Sequence, residues 1–528
     1  AAQPLLNWRI ESDTQGQKQS AYRVIVSSSE EKLEQGIGDL WDTGKVVSEQ
    51  SQYIAYSGKP LRSKTACFWK AMAWDKDGKP GEWSPPARWT MGLLKPEDWT
   101  CQWISAPAAA AVQEEGGKPV IRKATYRTLD GEVEKDVTDI VKKLVAKEKS
   151  LKVDFKVLGG DLSPGTVKEL VVEYLEDGEL KTVRGNDRAT LKLSGEEIGS
   201  TLPTYHFRKD FKLAAAPDSA YVTVHSPNYF ELYVNGEKVG DDVLSPAVSN
   251  DKKVTYSLTY DVGNCLKAGN NCIGLWMGTG WASEIVVRAQ LDAVVNGRPF
   301  VLGTDPSWKT RTTGRYRIGQ WKWGDFGGEL VDAREEMADW CRPERDASSW
   351  KNAVAAHLKV GPVQTQLCPG NRVGEPVYPV AITAIGQGLY EMDFGKALTG
   401  WFRMEMPRLA SGAEVSMTFA DTKSELCKRG SKIGDADSYQ TFRQSSRFIS
   451  AGKPNEVFQH KFNYAAFRYV IVKGLTAPPA KESATAMLVD SDLEEVGSFE
   501  CSNELLNQIH QVNKWTQRCL NLGGYYVD

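Results

Sequence analysis

Alternating apolar and polar residues occupy most of the chain and predict short β-strands. The segments AYRVIVSSS, from Ala21, and SAYVTVHS, from Ser219, have the two-residue period of a strand with one buried face. Asn-Gly pairs at 235–236 and 296–297 each separate two such segments. Asn-Gly suits a type I′ turn, which needs positive φ at both central residues. The pattern therefore predicts a mainly β fold with two tight hairpins in its middle.

Two segments instead have apolar residues at helical spacing. One is DVTDIVKKLVAKEK, from Asp136, and the other is ELLNQIHQVNKWTQRCL, from Glu504. Ser502, Asn503 and Glu504 are residue types that cap the start of a helix. The second helix follows the last predicted strands, so we expect a change from β to α architecture near residue 500.

Turn-rich segments and changes in composition divide the 528 residues into several domains, in keeping with about 150 residues per domain. The predicted parts are a β-sandwich over 1–94, a linker over 95–116, an inserted small α+β domain over 117–202, a jelly-roll domain over 203–345, a β-sandwich over 346–495 and the start of a helical domain over 496–528.

Charge and hydropathy exclude two classes of partner. Lys and Arg number 65 against 68 Asp and Glu, a net charge of -3, so no basic field attracts nucleic acid. No stretch reaches the roughly 18 apolar residues that cross a bilayer, so we expect no membrane insertion. The start AAQP, without Met, is typical of a processed exported protein. We therefore expect a periplasmic or extracellular location, with the cytoplasm left open because a trimmed chain would begin the same way.

The nine cysteines and five histidines are dispersed and contain no CxxC pair, so no zinc or haem site is predicted. Cys265 and Cys272 are seven residues apart. Two interpretations stay open for them: a disulfide bond, or two small buried thiols.

Carboxylates concentrate in FGGELVDAREEMADW, where Glu329, Asp332, Glu335 and Glu336 follow two glycines. Carboxylate oxygens at this density could bind Ca²⁺ or sugar hydroxyls, and the alternative is an exposed acidic loop paired by Arg334. A second acidic segment, GDADSY, contains Asp435 and Asp437 but lacks the EF-hand spacing.

Other chemistry has little support in the sequence. There is no G-x-S-x-G nucleophile motif and no phosphate-binding loop. Six aromatic residues of the jelly-roll region fit either sugar stacking or a sandwich core: Tyr229, Tyr233, Trp276, Trp281, Trp321 and Trp323.

Several strings, taken in order, resemble the bacterial α-L-rhamnosidases of glycoside hydrolase family 78. LLNWRI, LWDTGKV, FWKAMAWDKDG and WSPPARWTMGLL are similar to that family's N-terminal fibronectin-III-like sandwich. YFELYVNGEKVGDDVLSP, TDPSWK, FGGELVDAREE and YEMDFGKALTGWFRMEM are similar to its next two β domains, and GSFECSNELLNQIHQVNKWT to the first helix of its catalytic domain. The segment from about 117 to 200 has no counterpart in this layout.

The resemblance implies tandem β-sandwich and jelly-roll domains followed by the first helix of an (α/α)6 barrel. It implies an enzyme that removes terminal α-L-rhamnose from rhamnose-containing oligo- or polysaccharides with inversion and needs no cofactor for hydrolysis. Asp528 stands where the family's acidic motif Asp-x-x-Arg-Asp-Glu begins, a position that contacts the sugar. The general acid and base are then expected outside residues 1–528, and no oligomeric state is predicted.

The resemblance also implies a carbohydrate-binding site in the jelly-roll domain. Asn228, Tyr229, Glu329 and Asp332 match the ligand loop and the acidic string of a related calcium-dependent rhamnose-binding module. Glu329 and Asp332 are the expected Ca²⁺ ligands. Two other functions fit the same architecture: a stand-alone carbohydrate-binding scaffold, and a lyase that cleaves rhamnose-glucuronate polysaccharides.

Overall fold

The computed structural model describes residues 3–107, 120–128, 132–145, 150–176, 179–187, 189–192, 197–198, 202–280, 284–319, 326–358, 360–423, 439–440 and 442–526. Within these ranges the protein is built of β-sheets and three α-helices, which confirms the predicted mainly β fold class. None of the helices in these ranges has the length and apolar character that crossing a membrane requires.

The N-terminal domain is a β-sandwich with a core around Val24, Val26 and Cys67. Ion pairs from Lys64 to Asp292 (2.6 Å) and from Arg88 to Asp261 attach it to the jelly-roll domain. Its elements are β1 (Leu5–Leu6), β2 (Ala21–Ser27), α1 (Glu30–Glu34), β3 (Trp41–Asp42), β4 (Val46–Val47), β5 (Ile54–Ala55), β6 (Ala66–Trp74), β7 (Pro80–Trp83) and β8 (Ala87–Thr90).

The predicted linker contributes a strand to the jelly-roll domain. β9 (Ile104–Ser105) pairs with the jelly-roll strand Val286–Val295, and Ile104 is fully buried. The second half of the linker, residues 108–116, lies outside the described residues. The linker is therefore packed against its neighbour along the part that the structure describes.

The inserted domain has a hydrophobic core of its own, which includes Tyr126, Val141 and Leu170. Its helix lies where the apolar spacing predicts one. The elements are β10 (Val120–Thr128), β11 (Glu134–Asp136), α2 (Thr138–Val145), β12 (Ser150–Lys152), β13 (Lys168–Glu176), β14 (Glu179–Asn186), β15 (Thr190–Lys192) and β16 (Glu197–Ile198).

The jelly-roll domain packs two sheets around a core that includes Phe207, Leu275 and Trp308. Its strands are β17 (Leu202–Leu213), β18 (Ser219–His225), β19 (Tyr229–Val234), β20 (Glu237–Lys238), β21 (Thr255–Asp261), β22 (Gly269–Gly278), β23 (Val286–Val295), β24 (Arg298–Gly303), β25 (Lys309–Ile318), β26 (Gly328–Asp332), β27 (Lys351–Asn352), β28 (Val354–Ala355) and β29 (Val363–Thr365).

The end of this domain differs from the predicted boundary at residue 345. Strands β27, β28 and β29 pair with β25, β9 and β21, so these three strands belong to the jelly-roll sheets. These strands are only two or three residues long. A pattern of alternation cannot be read over so few residues, which is why the sequence places the boundary too early.

The second β-sandwich continues a jelly-roll sheet, because β26 pairs in parallel with β36 to give one sheet of 15 strands. Its core includes Phe402, Phe419 and Phe467. Its strands are β30 (Asn371–Val377), β31 (Ala381–Gly386), β32 (Leu389–Glu405), β33 (Glu414–Ala420), β34 (Thr422–Lys423), β35 (Tyr439–Gln440), β36 (Ser445–Ile449), β37 (Val457–Gln459), β38 (Ala465–Lys473) and β39 (Ala484–Ser491).

The C-terminal segment consists of helix α3 (Glu504–Leu520) and a short hairpin, β40 (Asn521–Leu522) and β41 (Tyr525–Tyr526). The Asn503 side chain accepts hydrogen bonds from the backbone N–H groups of Leu505 and Leu506, as the capping prediction requires. None of the helix residues is fully buried.

Both Asn-Gly turns form as predicted. Asn235 and Gly236 have φ values of 53° and 94° between β19 and β20, and Asn296 and Gly297 have 51° and 69° between β23 and β24. Because a type I′ turn is set by two adjacent residues, this part of the fold is readable from local sequence alone.

The Cys265–Cys272 disulfide does not form. Both cysteines are free, and Cys265 is exposed while Cys272 is fully buried. The sulfur that lies against Cys272 belongs to Cys341, at 3.6 Å, a neighbour 69 residues away that spacing along the chain cannot reveal.

Candidate functional site

Asn228 is fully buried between β18 and β19 and holds a neighbouring loop. Its side-chain amide donates to the carbonyl oxygens of Thr279 (3.0 Å) and Glu284 (2.9 Å), and its Oδ1 accepts from the Val286 N–H. These contacts occupy the amide on both sides. Asn228 therefore fixes the backbone at Thr279, Glu284 and Val286 rather than presenting a free amide to a ligand.

Tyr229 is also buried, in an apolar cluster where the jelly-roll domain meets the second sandwich. The cluster contains Leu244 from the jelly-roll domain and Trp401 and Phe462 from the sandwich. Gly280 lies over the tyrosine ring with φ of +54°, and a Cβ there would lie 3.1 Å from Tyr229 Cγ. The Tyr229 ring is therefore enclosed by these cluster residues and Gly280.

Glu329 is 4% exposed and faces the second sandwich. Its carboxylate accepts hydrogen bonds from the backbone N–H groups of Lys461 (3.1 Å) and Phe462 (2.6 Å), and Arg315 lies 3.7 Å away. Burial raises the pKa of Glu329 above its usual value, although Arg315 and the N–H groups act in the opposite direction. Glu329 thus joins the two β domains.

Asp332 lies on the same strand but engages a different partner. Its carboxylate accepts two hydrogen bonds from the Arg334 guanidinium, at 2.9 and 2.7 Å, and one from the Arg334 N–H. The hydrogen bonds from Arg334 lower the pKa of Asp332 despite its partial burial. This matches the alternative in which Arg334 pairs the acidic segment.

The structure does not bring Glu329 and Asp332 together as ligands of one ion. Successive side chains of a strand point to opposite faces, so residues three apart on β26 face opposite ways. In the part of the chain that the structure describes, no group of three His, Cys, Asp or Glu side chains could hold a metal ion. The donor set that we expected for Ca²⁺ therefore does not fit one.

Several other residues of the sequence prediction lie outside the described residues. They are Trp281, Trp321, Trp323, Asp435, Asp437 and Asp528. Of the aromatic residues that are described, Trp276 packs against Phe462 of the second sandwich, and Tyr233 packs against Trp340 within the jelly-roll domain.

A network of buried charges fills this junction, which we define as the contact between β19, β25 and β26 of the jelly-roll domain and residues 459–463 of the sandwich. Lys461 Nζ lies 2.7 Å from the Glu231 carboxylate, which also accepts from the Tyr233 hydroxyl at 2.9 Å. Arg315 donates to the Gln459 carbonyl oxygen at 2.7 Å. Each side chain thus has a partner across or beside the contact.

The pairing of charges in this network shifts the pKa of two groups. Burial opposes ionisation of Glu231, but Lys461 and Lys238 outweigh it and hold the pKa of Glu231 below its usual value. Burial lowers the pKa of Lys461, while Glu231 pulls it back upward. A cavity of about 10 Å³ lies beside Arg315 and Lys461, which is room for about one water and not for a sugar ring. The junction is therefore a structural contact.

Asn371, which the sequence did not single out, connects three parts of the molecule. Its Oδ1 accepts from the N–H of Gly523 in the C-terminal hairpin at 2.7 Å, and its amide donates to the carbonyl oxygens of Val243 and Leu244. Ser491, at the end of β39, accepts from the Gly524 N–H at 3.3 Å. The hairpin that follows helix α3 is thereby anchored to both β domains.

Helix α3 itself presents an apolar face to solvent. Leu505 is 64% exposed, Val512 63% and Ile509 47%. Trp515 Nε1 donates to the Ala397 carbonyl oxygen at 2.7 Å, which holds the helix against the second sandwich. Contiguous exposed apolar residues of this kind mark a surface that packs against further protein.

Four family descriptions match successive parts of the chain. Residues 1–95 match the Rha78A-like N-terminal immunoglobulin domain, and 215–375 the alpha-L-rhamnosidase N-terminal domain. Residues 383–490 match the bacterial alpha-L-rhamnosidase concanavalin-like domain, and 494–528 the bacterial alpha-L-rhamnosidase 6 hairpin glycosidase domain. The inserted domain falls between the first two matches.

Curated relatives are similar along nearly the whole chain. An alpha-L-rhamnosidase of Formosa agariphila is 27% identical over 97% of this chain and 48% of its own length. One of Streptomyces avermitilis is 24% identical over 98% of this chain and 58% of its own length. The chain spans about half the length of the curated relatives it matches.

Solved structures share the arrangement of domains. The alpha-L-rhamnosidase from Dictyoglumus thermophilum matches with a TM-score of 0.74 and 25% identity, over 99% of this chain and 50% of that one. The Streptomyces avermitilis alpha-L-rhamnosidase complexed with L-rhamnose also gives 0.74, at 21% identity, over 99% of this chain and 59% of that one, which shows the same fold. With four matches in order and relatives along its length, the chain belongs to the bacterial α-L-rhamnosidase family.

Proposed function

We propose that the protein is an inverting α-L-rhamnosidase that hydrolyses terminal α-L-rhamnose from glycans or glycosides, and that the described domains are its β portion. The observation that carries the proposal is the order of the family matches: three β domains, then the 6 hairpin glycosidase domain from residue 494. The relatives along this length bear the name alpha-L-rhamnosidase.

In an inverting glycosidase, one carboxylic acid protonates the leaving oxygen and a second carboxylate activates water on the opposite face of the sugar. The two groups stand about 6.5–9.5 Å apart to leave room for that water. We assign this chemistry to the helical glycosidase domain, with Asp528 at the start of its acidic motif as a sugar contact. The β domains then act by positioning.

Asn371 is the residue through which that positioning acts. It holds Gly523, five residues before Asp528, against the jelly-roll loop at Val243 and Leu244. Misplacement of a catalytic group by about 1 Å can cost roughly 100-fold in rate. Asn371 touches no substrate in this account and is a positioning residue.

The test uses the full natural protein and a chromogenic aryl α-L-rhamnoside. We expect release of the aryl alcohol and rhamnose, and a 10- to 100-fold lower kcat in Asn371→Ala, on the order that misplacement produces. The exposed Asn352→Ala is the matched control and keeps the wild-type kcat. No hydrolysis by the wild type contradicts the proposed activity, and an unchanged kcat in Asn371→Ala contradicts the positioning role.

A second assay, with a rhamnose-glucuronate polysaccharide in place of the aryl rhamnoside, separates the other two functions. A lyase would produce an unsaturated uronate that absorbs in the ultraviolet, whereas hydrolysis of that polysaccharide leaves the absorbance flat. A stand-alone binding scaffold would bind rhamnose but would not cleave the rhamnoside. Either result overturns the proposal.

A further inference from the structure

Two buried cysteines meet on the outer face of the jelly-roll domain. Cys272 Sγ on β22 and Cys341 Sγ are 3.6 Å apart, and the residues are 0% and 1% exposed. Both are free thiols. Their contact joins a central strand to residues 333–350, a segment that we call the strap because it crosses this face after β26.

The surrounding packing holds the strap in place. The Arg208 guanidinium, fully buried, donates to the carbonyl oxygens of Trp340 (2.9 Å) and Arg342 (3.1 Å). The Trp340 ring stacks on the His206 ring with centroids 3.9 Å apart and planes within 3°. These contacts fix the backbone on both sides of Cys341.

The strand is shaped to receive the strap. Gly274 lies two residues after Cys272 on the same face of the strand and has no side chain there. A Cβ at Gly274 would lie 2.5 Å from Trp340 Cζ3 and 2.8 Å from Cys341 Sγ, closer than atoms approach. The close approach of the two sulfurs is therefore built into the backbone and does not depend on a mobile side chain.

We propose that Cys272 and Cys341 are a disulfide site that closes when the protein folds in the presence of a disulfide oxidant, such as oxidised glutathione. One thiolate attacks the oxidant's S–S bond and releases one oxidant thiol, leaving a mixed disulfide. The second cysteine attacks the protein sulfur of that mixed disulfide and releases the second oxidant thiol. The two cysteine protons end on the two released thiols, and the oxidant is reduced by two electrons.

Burial decides when this exchange occurs. The oxidant cannot reach the two sulfurs while the strap lies over β22, because both residues are fully covered. Closure of the bond thus belongs to folding, or to opening of the strap, and the folded dithiol reacts slowly. The bond closes a loop of about 70 residues and keeps the strap on the strand.

The first experiment maps the bond. The chain is refolded in a buffer of reduced and oxidised glutathione, alkylated with iodoacetamide in denaturant, digested and analysed by mass spectrometry. We expect one cross-linked peptide pair containing Cys272 and Cys341, with Cys265 alkylated. The pair disappears in Cys272→Ser and in Cys341→Ser and persists in Cys265→Ser, which is the matched control. Alkylation of both cysteines in the wild type, or a link from Cys272 to Cys265, overturns the proposal.

The second measurement tests what the bond does. Oxidised wild type should melt roughly 10 °C higher than the reduced protein, given typical disulfide stabilisation and domain size. Cys341→Ser should show no redox-dependent change in Tm, and Cys265→Ser should keep the wild-type difference. An unchanged or lower Tm in the oxidised wild type contradicts a stabilising cross-link. Both experiments are independent of rhamnosidase activity.

Discussion

Helix α3 and the junction between the two β domains differ in which groups they bury. The junction buries charged groups, whereas α3 exposes apolar groups. At the junction, Glu231 and Glu329 are buried, Lys461 is partly buried, and each has a partner within the described chain. On α3, Leu505 and Val512 are more than 60% exposed, and the helix has no fully buried residue. A buried charge needs a partner, whereas a patch of exposed apolar residues marks a surface that packs against other protein.

The two regions thus differ in whether the described chain provides their packing partners. The β domains have theirs, and helix α3 does not have all of its own. The β domains bury their own cores, and the charged groups of the junction are paired with one another. Helix α3 lies on the second sandwich with one face and leaves the other open. That arrangement supports the proposal that α3 packs within a helical glycosidase domain.

The largest effect is expected from Glu329→Ala at the junction. The substitution leaves two buried N–H groups without their acceptor and removes the carboxylate beside Arg315, and loss of one partner of a buried pair typically costs about 3–5 kcal/mol. Denaturant unfolding measures this loss. Asp332→Ala, three residues along the same strand, removes a pair with the half-exposed Arg334 and should cost about 1 kcal/mol. Equal losses would contradict the structural role of Glu329.

A pH effect of intermediate size is expected from two buried histidines of the β domains. Burial lowers the pKa of His460 to about 3, aided by Arg315, and burial with Arg288 lowers that of His225 to about 3. Because an unfolded histidine takes up its proton near pH 6.5, stability is complete above that pH and is lost as the pH falls towards 3. Each histidine contributes a loss of roughly 1.4 kcal/mol per pH unit in that window.

Unfolding free energies at pH 6.5 and 4.5 measure this loss. His460→Gln should lose less free energy over the window than the wild type does. His357→Gln, at an exposed position, should keep the wild-type dependence. A wild-type stability that is flat over this window would show that neither histidine is held neutral.

A smaller loss of stability is expected from Asn371→Ala. The substitution removes the acceptor of the Gly523 N–H and leaves buried polar groups without a partner, which costs about 1–3 kcal/mol. Limited proteolysis should also cut residues 521–526 sooner, because this hairpin loses its anchor. Unfolding and proteolysis that both match the wild type would show that the hairpin is held by other contacts.

The smallest effect is expected on the open face of α3. Ile509→Ser and Val512→Ser should each change the unfolding free energy of this chain by less than about 0.5 kcal/mol, since both side chains are already exposed. Leu232→Ala, in the jelly-roll core, should cost about 2–5 kcal/mol. A large loss from the α3 variants would show that the helix face is covered and would remove the contrast with the junction.

The features that the sequence predicts correctly depend on neighbouring residues. The Asn-Gly turns and the Asn503 cap each rest on two to four adjacent residues. The two-residue period of a strand also separates Glu329 from Asp332, since residues three apart face opposite ways. Glu329 and Asp332 are therefore close in the sequence without facing one common site.

The features that the sequence does not predict depend on distant residues. Glu329 meets Lys461 across 132 positions, and Asn371 meets Gly523 across 152. Nothing near Asn371 in the chain distinguishes it from other asparagines at the start of a strand. Cys272 pairs with Cys341 and not with Cys265 because β22 and the strap are brought together only by the tertiary fold.

The inverting hydrolysis that we propose is tested most directly by the stereochemistry of rhamnose release by the full natural protein. Proton NMR during hydrolysis of an aryl α-L-rhamnoside reports which anomer appears first. An inverting α-L-rhamnosidase produces β-L-rhamnose before the anomers equilibrate, and that is the predicted result. Initial formation of α-L-rhamnose, or the absence of any released rhamnose, would contradict the account.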